Sequence, residues 1–370
     1  MTAVAFLRGH MVAALAAGYQ VDLVAKAANT DFLNNVDLTA VRFHPVAIQR
    51  SITPLQDIYA LWQLFTLFRR EKFQIVHSVS PKAGLLAMLA SRFARSPNRI
   101  HTFTGQVWVT RTGWSRRMLK IADRILAMLA TRVLVDSYSQ RSFLASERVV
   151  GFDKSHVIGN GSISGVNGKI FRPDRNLRSS VRKELNISEE IPVLLFLGRI
   201  AHDKGVCDLV DAFLKLSVRF PTLNLLFVGP DEGAMADVLA LVTSSLNKNI
   251  HFIEYTTQPE RYMAAADILC LPSYREGFGM VLIQAAATGL PVVASRINGV
   301  IDAVLDGETG LLHAPGNVDE IINCISLLLS NPDRSEEMGK IARNYALSYY
   351  TDAFVTQSLL DFYRKLLSRD

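Results

Sequence analysis

Along the chain, short runs of apolar and β-branched residues alternate with longer stretches whose apolar positions recur at helical spacing. The runs predict strands at Val21–Val24, Ile75–Val79, Arg99–Phe103 and Val133–Val135, then Val193–Leu197, Leu223–Val228, Ile250–Phe252, Ile268–Leu271 and Pro291–Ala294. The longer stretches predict helices that include Pro54–Arg69, Lys82–Phe93, Arg116–Thr131, Gly205–Val218 and Val318–Leu329. Strand–helix alternation at this spacing argues for parallel sheets with helices on both faces. Uninterrupted apolar runs such as Ile191–Leu197 fit central strands, which are buried on both sides. Near the amino end, Met11–Ala17 reads as a short helix stopped at Gly18 and followed by a strand.

A Gly/Ser/Asn-rich segment, Gly159–Gly168, carries the signature of a linker. The expected organisation is two doubly wound α/β domains, 1–165 and 166–345, facing each other across a cleft at the carboxyl ends of their strands. Such sheets bind ligands at that end. Residues 346–370 form a separate C-terminal segment. Within it, Asp352–Leu367 has an apolar face of Phe354, Leu359, Phe362, Tyr363, Leu366 and Leu367, which docks on one domain or crosses back to the first.

At 370 residues and 49% hydrophobic, the chain has room for two sizeable cores, and its composition excludes disorder, collagen-like repeats and a disulfide scaffold. Cys207, Cys270 and Cys324 lie far apart with no Cys-x-x-Cys pair, which fits a reducing compartment and neither a zinc site nor a staple. The longest uncharged stretch, Gly277–Ser295, is broken by glycines and a proline and reads as loop, helix and strand rather than a membrane span. The net charge of +6 is unevenly shared. Residues 1–165 hold 20 Lys and Arg against 9 Asp and Glu, a net of +11, which leaves −5 for the rest. A basic first half is suited to an anionic partner: a phosphorylated substrate or an anionic lipid surface. No aromatic–basic RNA motif or zinc-finger spacing accompanies it, so nucleic acid is not expected.

Chemistry concentrates where predicted strands run into glycine turns. After Ile268–Leu271 comes Pro272-Ser-Tyr-Arg-Glu-Gly-Phe-Gly-Met, in which glycines allow close backbone approach and the following helix offers its positive end to phosphate. Glu276 lies in this loop and Gln284 eight residues on, roughly 12 Å along a helix, the span from a sugar ring past a diphosphate to a ribose. The spacing alone equally fits an ordinary strand–turn–helix with a solvated glutamate. After Val193–Leu197 comes Gly198-Arg-Ile-Ala-His-Asp-Lys-Gly205, whose Arg199 and Lys204 can clamp a diphosphate. A third glycine loop, Gly229–Gly233, follows Leu223–Val228.

In this order, Gly-Arg-x-x-x-x-Lys-Gly, Gly-Pro-Asp-Glu-Gly and Pro-Ser-Tyr-Arg-Glu-Gly-Phe-Gly resemble glycosyltransferase family 4. Gly165-Val-Asn-x-x-x-Phe171-x-Pro is similar to that family's interdomain segment, and Gly307-Glu-Thr-Gly-Leu-Leu to its late strand–turn. The resemblance implies a GT-B fold and retaining transfer of a hexose or N-acetylhexosamine from a UDP-sugar, with no metal or other cofactor. It implies that Arg199 and Lys204 hold the diphosphate, that Glu276 contacts the donor sugar, and that Gly277, Phe278 and Gly279 sit by sugar and phosphate. Gly198, Gly229, Met280 and Gln284 complete the nucleotide-sugar set, with His251–Tyr255, Tyr255 above all, near the base. Three departures stand out. Gln284 occupies a position that is usually Glu. Thr104 stands where a histidine is common, with His101 three residues before. The chain opens without the family's first strand, which leaves the acceptor-side loop incomplete.

Candidate acceptor-side residues are Arg8 and His10, placed to touch an acceptor phosphate, Lys82 after a predicted strand end, and His101 and Thr104 in and just after the predicted strand Arg99–Phe103. Arg116, Arg117, Lys120 and Arg124, set among Leu, Ile and Met, form a basic amphipathic stretch able to lie on anionic lipid, or equally a helix packed on its domain with its charges in water. Together these readings describe a peripheral enzyme at the cytoplasmic face of a bacterial inner membrane, extending a polyprenyl diphosphate-linked saccharide for O-antigen, capsule or glycan. The rival readings are a non-catalytic binder of nucleotide sugar or lipid and a UDP-sugar 2-epimerase.

Overall fold

A computed structural model describes residues 2–26, 38–49, 51, 53–242 and 247–368. The chain divides into two compact units: residues 1–165 with 352–370, and residues 166–351.

In the first unit, a helix over Thr2–Ala16 leads through Gly18 to strand β1 (Asp22–Ala25), which pairs in parallel with β2 (Arg42–Pro45). The helix starts nine residues earlier than the apolar stretch Met11–Ala17 predicts. Strands β3 (Ile75–Ser78), β4 (Asn98–Phe103), β5 (Arg132–Val135) and β6 (Ser155–His156) follow in order, all parallel. β2 and β6 are absent from the sequence-based expectation. Helices Pro54–Glu71 and Pro81–Phe93 each begin with proline in the first turn, where the missing N–H would have no partner anyway.

Side-chain alternation sorts the two faces of this sheet. Phe103, Val133 and Val135 turn to the layer formed by helices Pro54–Glu71, Pro81–Phe93 and Gly113–Leu129, packing with Leu64, Phe68, Met88 and Leu126. Ile100 and Leu134 turn the other way, onto Leu359 and Leu366 of the helix Asp352–Leu367. The last helix thus belongs to the first unit. Its predecessor Pro332–Tyr349, and residues to Thr351, belong to the second, so the segment boundary lies at 352 rather than 346. Tyr350, for example, is buried against Phe278 with ring centroids 5.2 Å apart.

The second unit is one six-stranded parallel sheet of β7 (Val193–Leu197), β8 (Asn224–Val228), β9 (Ile250–Ile253), β10 (Ile268–Leu271), β11 (Val292–Ser295) and β12 (Gly310–His313). The spatial order is β12-β11-β10-β7-β8-β9, which read from its other edge is the doubly wound order 3-2-1-4-5-6. The chain reverses direction across the sheet between β7 and β10, and these two strands are hydrogen-bonded neighbours. Burial of both sheet faces accounts for the unbroken apolar runs of β7, β8 and β10, each large side chain contributing about 1.5–3 kcal/mol.

At the opposite end of β7 and β10 sits a fully buried cation. Arg182 donates to the carbonyls of Ala265 (2.9 Å), Ser188 (2.8 Å), Glu189 (3.0 Å) and Ile191 (2.7 Å) and to Asp267 (2.7 Å). Asp267 also accepts from the backbone N–H of Val193 (2.8 Å), so one charge cluster fixes where both strands begin.

Candidate active site

Because β7 and β10 are adjacent, the loops that leave their carboxyl ends lie side by side, although 72 residues separate Lys204 from Glu276. Lys204 Nζ donates to Glu276 Oε1 at 2.6 Å, and the Ser273 hydroxyl donates to the same oxygen at 2.9 Å. Both members of the ion pair are 13% exposed. The loops touch backbone to backbone: a Cβ added to Gly205 would fall 2.0 Å from the carbonyl oxygen of Pro272, and the Gly205 φ of +67° also favours glycine. The next loop is packed as closely, with the Gly229 Cα set so that an added Cβ would lie 1.9 Å from the Gly198 carbonyl oxygen.

Charged groups surround the Lys204–Glu276 pair. Arg275 donates to Asp203 at 2.6 Å, and Arg199 pairs with Glu232 from the loop after β8. Burial alone would raise the Asp203 pKa, but the charges of Arg275, Lys204 and Arg199 outweigh it and hold the carboxyl below the usual range. Tyr274 donates to Asp208 at 2.7 Å, and that hydrogen bond is the main reason its hydroxyl is pushed up to about 12. The helix Met280–Ala287 starts at the mouth of β10 with Gly279 as its N-cap, so its positive end faces the same loops.

The other donor-side residues divide. Gly277 and Gly279 lie in this loop, Met280 opens the helix, and Gln284 is half-buried on its second turn. The Phe278 side chain is in the core, 2% exposed against Tyr350, so only its backbone is offered to a ligand. Tyr255 is exposed beyond the end of β9. His251, expected beside it, lies instead near the amino end of β9, bonded to Asn224 Oδ1 (2.8 Å), because the strand carries it away from the carboxyl-end loops.

In the first unit the candidate acceptor residues occupy different settings. His10 is buried: Nε2 donates to the Ile163 carbonyl (2.7 Å), Nδ1 accepts from Thr356 (2.9 Å), and burial lowers its pKa. His101 is fully buried between Ser78 (2.8 Å to Nδ1) and the helix Pro81–Phe93, and burial pushes its pKa down to about 3. Burial keeps both neutral. Lys82 is tied to Asp57 (2.6 Å) and the Ser51 carbonyl (2.5 Å). Arg8 is exposed on the first helix, and Thr104 is half-buried one residue past β4.

Sequence reasoning passed over Asp136, at the end of β5. It lines a cavity of about 30 Å³ with His10, His77, Thr102 and Ser162, and burial pushes its carboxyl up to about 8. The lone acid closing the apolar run Val133–Val135 was the available signal.

The basic helix takes the second of its two expected forms, packed on its own domain, but with most of its charges paired. Lys120 and Arg116 pair with Glu147, and Arg124 donates to the carbonyls of Glu147 and Arg148, so three of the four cations are bound to their own domain. Arg117 is exposed. No helix among the described residues is long and apolar enough to cross a membrane.

Comparison with known proteins matches this layout. Residues 5–161 fit the family model "Glycosyl transferase 4-like domain", and residues 178–345 fit "Glycosyl transferases group 1". The capsular polysaccharide biosynthesis glycosyltransferase CapM of Staphylococcus aureus is 28% identical over 88% of this chain and 85% of its own length. The UDP-Gal:alpha-D-GlcNAc-diphosphoundecaprenol alpha-1,3-galactosyltransferase of Escherichia coli is 26% identical over 83% and 79%. Among solved structures, sucrose-phosphate synthase from Thermosynechococcus elongatus superposes with a TM-score of 0.82, at 23% identity over 99% of this chain and 94% of that one. Anabaena HepE, solved in complex with UDP and glucose, gives 0.79 at 20% identity over 96% and 95%. The chain belongs to the glycosyltransferase family that couples a 4-like domain to a group 1 domain, and it is a glycosyltransferase of GT-B fold.

Proposed function

We propose that this enzyme transfers a hexose or N-acetylhexosamine from a UDP-sugar to a polyprenyl diphosphate-linked saccharide, with retention at the anomeric carbon and without a metal. The observation that carries the proposal is the Lys204–Glu276 pair at the reversal point of the second unit's sheet, with Arg199 alongside. Lys204 and Arg199 are suited to neutralise the departing diphosphate. Glu276 is suited to accept hydrogen bonds from sugar hydroxyls. In the transfer, the bond from the anomeric carbon to the β-phosphate oxygen breaks and the acceptor oxygen bonds to that carbon on the same face. The acceptor's proton passes to the departing β-phosphate. The lipid-linked acceptor is supported by the E. coli relative, whose name specifies a diphosphoundecaprenol substrate, and by the capsule pathway of CapM.

The test is turnover by the purified chain, with UDP-, GDP- and ADP-sugars each offered with a polyprenyl diphosphate saccharide. The expected result is transfer from one UDP-sugar, an α-linked product from an α-donor by NMR, and loss of activity in Lys204→Ala. Transfer only from a GDP- or ADP-sugar, an inverted product, or abolition by chelators would overturn the respective part of the proposal.

A further inference from the structure

The face of the first unit's sheet that carries Ile100 and Leu134 ends, toward the carboxyl ends of its strands, in polar residues. Alternation puts His77 of β3, Thr102 of β4 and Asp136, one residue past β5, on that face. All three line the cavity of about 30 Å³, to which the helices Thr2–Ala16 and Asp352–Leu367 contribute Leu7, His10 and Leu359. Phe103 stands opposite Val135 in the β4–β5 pair, so Thr104 and Asp136 are the next positions out, at the end where such sheets receive ligands.

Most polar groups of the lining are already bonded. His10 uses both ring nitrogens, on Ile163 and Thr356, and His77 uses both, on Thr102 and Tyr363. The Ser162 hydroxyl accepts from the Gly165 N–H at 3.0 Å. Asp136 is the exception: the residue is 5% exposed, and among the described residues nothing is hydrogen-bonded to its carboxyl. A buried polar group without a partner costs about 1–3 kcal/mol, and departures of this kind from the rules of stable folding concentrate at functional sites.

The lining restricts what this carboxyl can meet. At about 10–15 Å³ for each water-sized group the cavity has room for two, too little for a phosphate, a base or a whole sugar ring. Among the described residues no Lys or Arg lines it, which disfavours an anion. With both histidines engaged, a metal ion would find a single carboxyl. Burial pushes Asp136 up to about 8, so at neutral pH it is protonated and offers one O–H and one C=O. Its complement is a small neutral group that both accepts and donates. On a sugar that group is a hydroxyl, or a hydroxymethyl arm two heavy atoms long.

We propose that Asp136 is a substrate-binding residue whose carboxyl, in the cavity it shares with Thr102, takes a hydroxyl or hydroxymethyl group of one of the two sugars brought together in the transfer. This rests on the transferase reading above and adds a contact from the first unit to it.

The test uses the full chain with UDP present. Saturation-transfer NMR, which needs no turnover, reads the binding of methyl hexopyranosides, methyl N-acetylhexosaminides and their monodeoxy analogues to wild type, Asp136→Asn and Asp136→Leu. Asparagine keeps a donor and an acceptor, and leucine has neither. The expected result is a glycoside that binds about tenfold more weakly to Asp136→Leu and within about threefold of wild type to Asp136→Asn. One deoxy analogue, weak on wild type, should lose no further affinity in Asp136→Leu. Both variants should bind UDP as wild type does and unfold no earlier. Wild type binding none of the glycosides, or Asp136→Leu binding all of them unchanged, would leave the cavity a bound water only and overturn the proposal. In the transfer assay, a raised KM for the lipid-linked acceptor in Asp136→Leu assigns the hydroxyl to the acceptor, and a raised KM for the UDP-sugar assigns it to the donor. Both values unchanged would also overturn the proposal. Transfer by wild type with glycoside binding intact in Asp136→Leu sinks only this subsite; glycoside binding lost in Asp136→Leu without turnover on any donor sinks only the transfer reading.

Discussion

Replacing Glu276 by glutamine tests how the donor loops divide their labour. In the free enzyme Lys204 is bonded to Glu276 at 2.6 Å in a setting where each side chain is 13% exposed, and Ser273 donates to the same carboxylate oxygen. A diphosphate must therefore compete with Glu276 for Lys204. Hydrogen bonds to charged groups contribute about 1.5–3 kcal/mol. Glutamine keeps the shape and an acceptor oxygen but loses the charge, so about 1–2 kcal/mol of that competition disappears. UDP alone should then bind roughly 5- to 30-fold more tightly. A UDP-sugar gains the same relief but loses the charged acceptor for its hydroxyls, about 1.5–3 kcal/mol, so its affinity relative to UDP should fall roughly 10- to 150-fold. Isothermal titration of UDP and UDP-sugar into wild type, Glu276→Gln and Lys204→Ala reads these differences directly, and Lys204→Ala should weaken both ligands together. If Glu276→Gln weakens UDP and UDP-sugar by the same factor, Glu276 is a scaffold for the loop and the division of roles is wrong.

Three further outcomes follow from the geometry. Arg182→Ala removes a buried donor from four backbone carbonyls and from Asp267, which keeps Arg178 (2.8 Å) and the Val193 N–H, so it should destabilise the second unit by about 1–3 kcal/mol and lower its melting temperature by roughly 5 °C; an unchanged calorimetric transition would contradict the anchoring role. Asp136, with a folded-state pKa of about 8 against an ordinary value near 3.8, binds a proton in the folded state that the unfolded chain releases between those values. Its contribution to stability therefore falls as pH rises from 4 to 8 and is level above. The stability advantage of Asp136→Asn should grow by about 1.4 kcal/mol per pH unit across that window, and an advantage independent of pH would refute it. Gln284→Glu, placing a carboxylate on the second turn of the donor-loop helix, should tighten UDP binding about fivefold through a charged acceptor for the ribose; equal or weaker binding by titration would show that the glutamine is already optimal.

The second unit was legible because its physics is repetitive. Strands buried on both faces must be apolar throughout, and loops at their carboxyl ends that approach one another must be glycine, so β7, β8 and β10 and their ligand loops stand out in the sequence. β2 did not: Arg42-Phe-His-Pro45 is polar and open at both ends, and nothing local distinguishes it from a loop. The burial of His10 was hidden for a different reason. What engages it is Thr356, 346 residues away, on a helix whose destination was ambiguous from sequence, and the same helix brings Tyr363 to His77, 286 residues away. The helix Gly113–Leu129 shows the limit of periodicity itself. Leu119, Leu126 and Ala127 make one apolar face and Trp114, Met118, Ile121 and Ile125 another, and only the sheet decides which of them is covered.

The same long-range dependence explains how the proposed donor chemistry can rest on so few side chains. Lys204 and Glu276 meet because the order of the sheet makes β7 and β10 neighbours, and Arg182 with Asp267 fixes the starts of those two strands relative to each other at the far end. With the strand starts fixed and each strand only four or five residues long, the ends where the loops depart are fixed too. The contact of Gly205 with the Pro272 carbonyl then leaves the loops little freedom in how they lie together. A charge pair at 2.6 Å between loops 72 residues apart is thus set by backbone geometry before either side chain is considered. That is the preorganisation that stabilising a departing diphosphate requires, since donors already in place need no rearrangement as the charge develops.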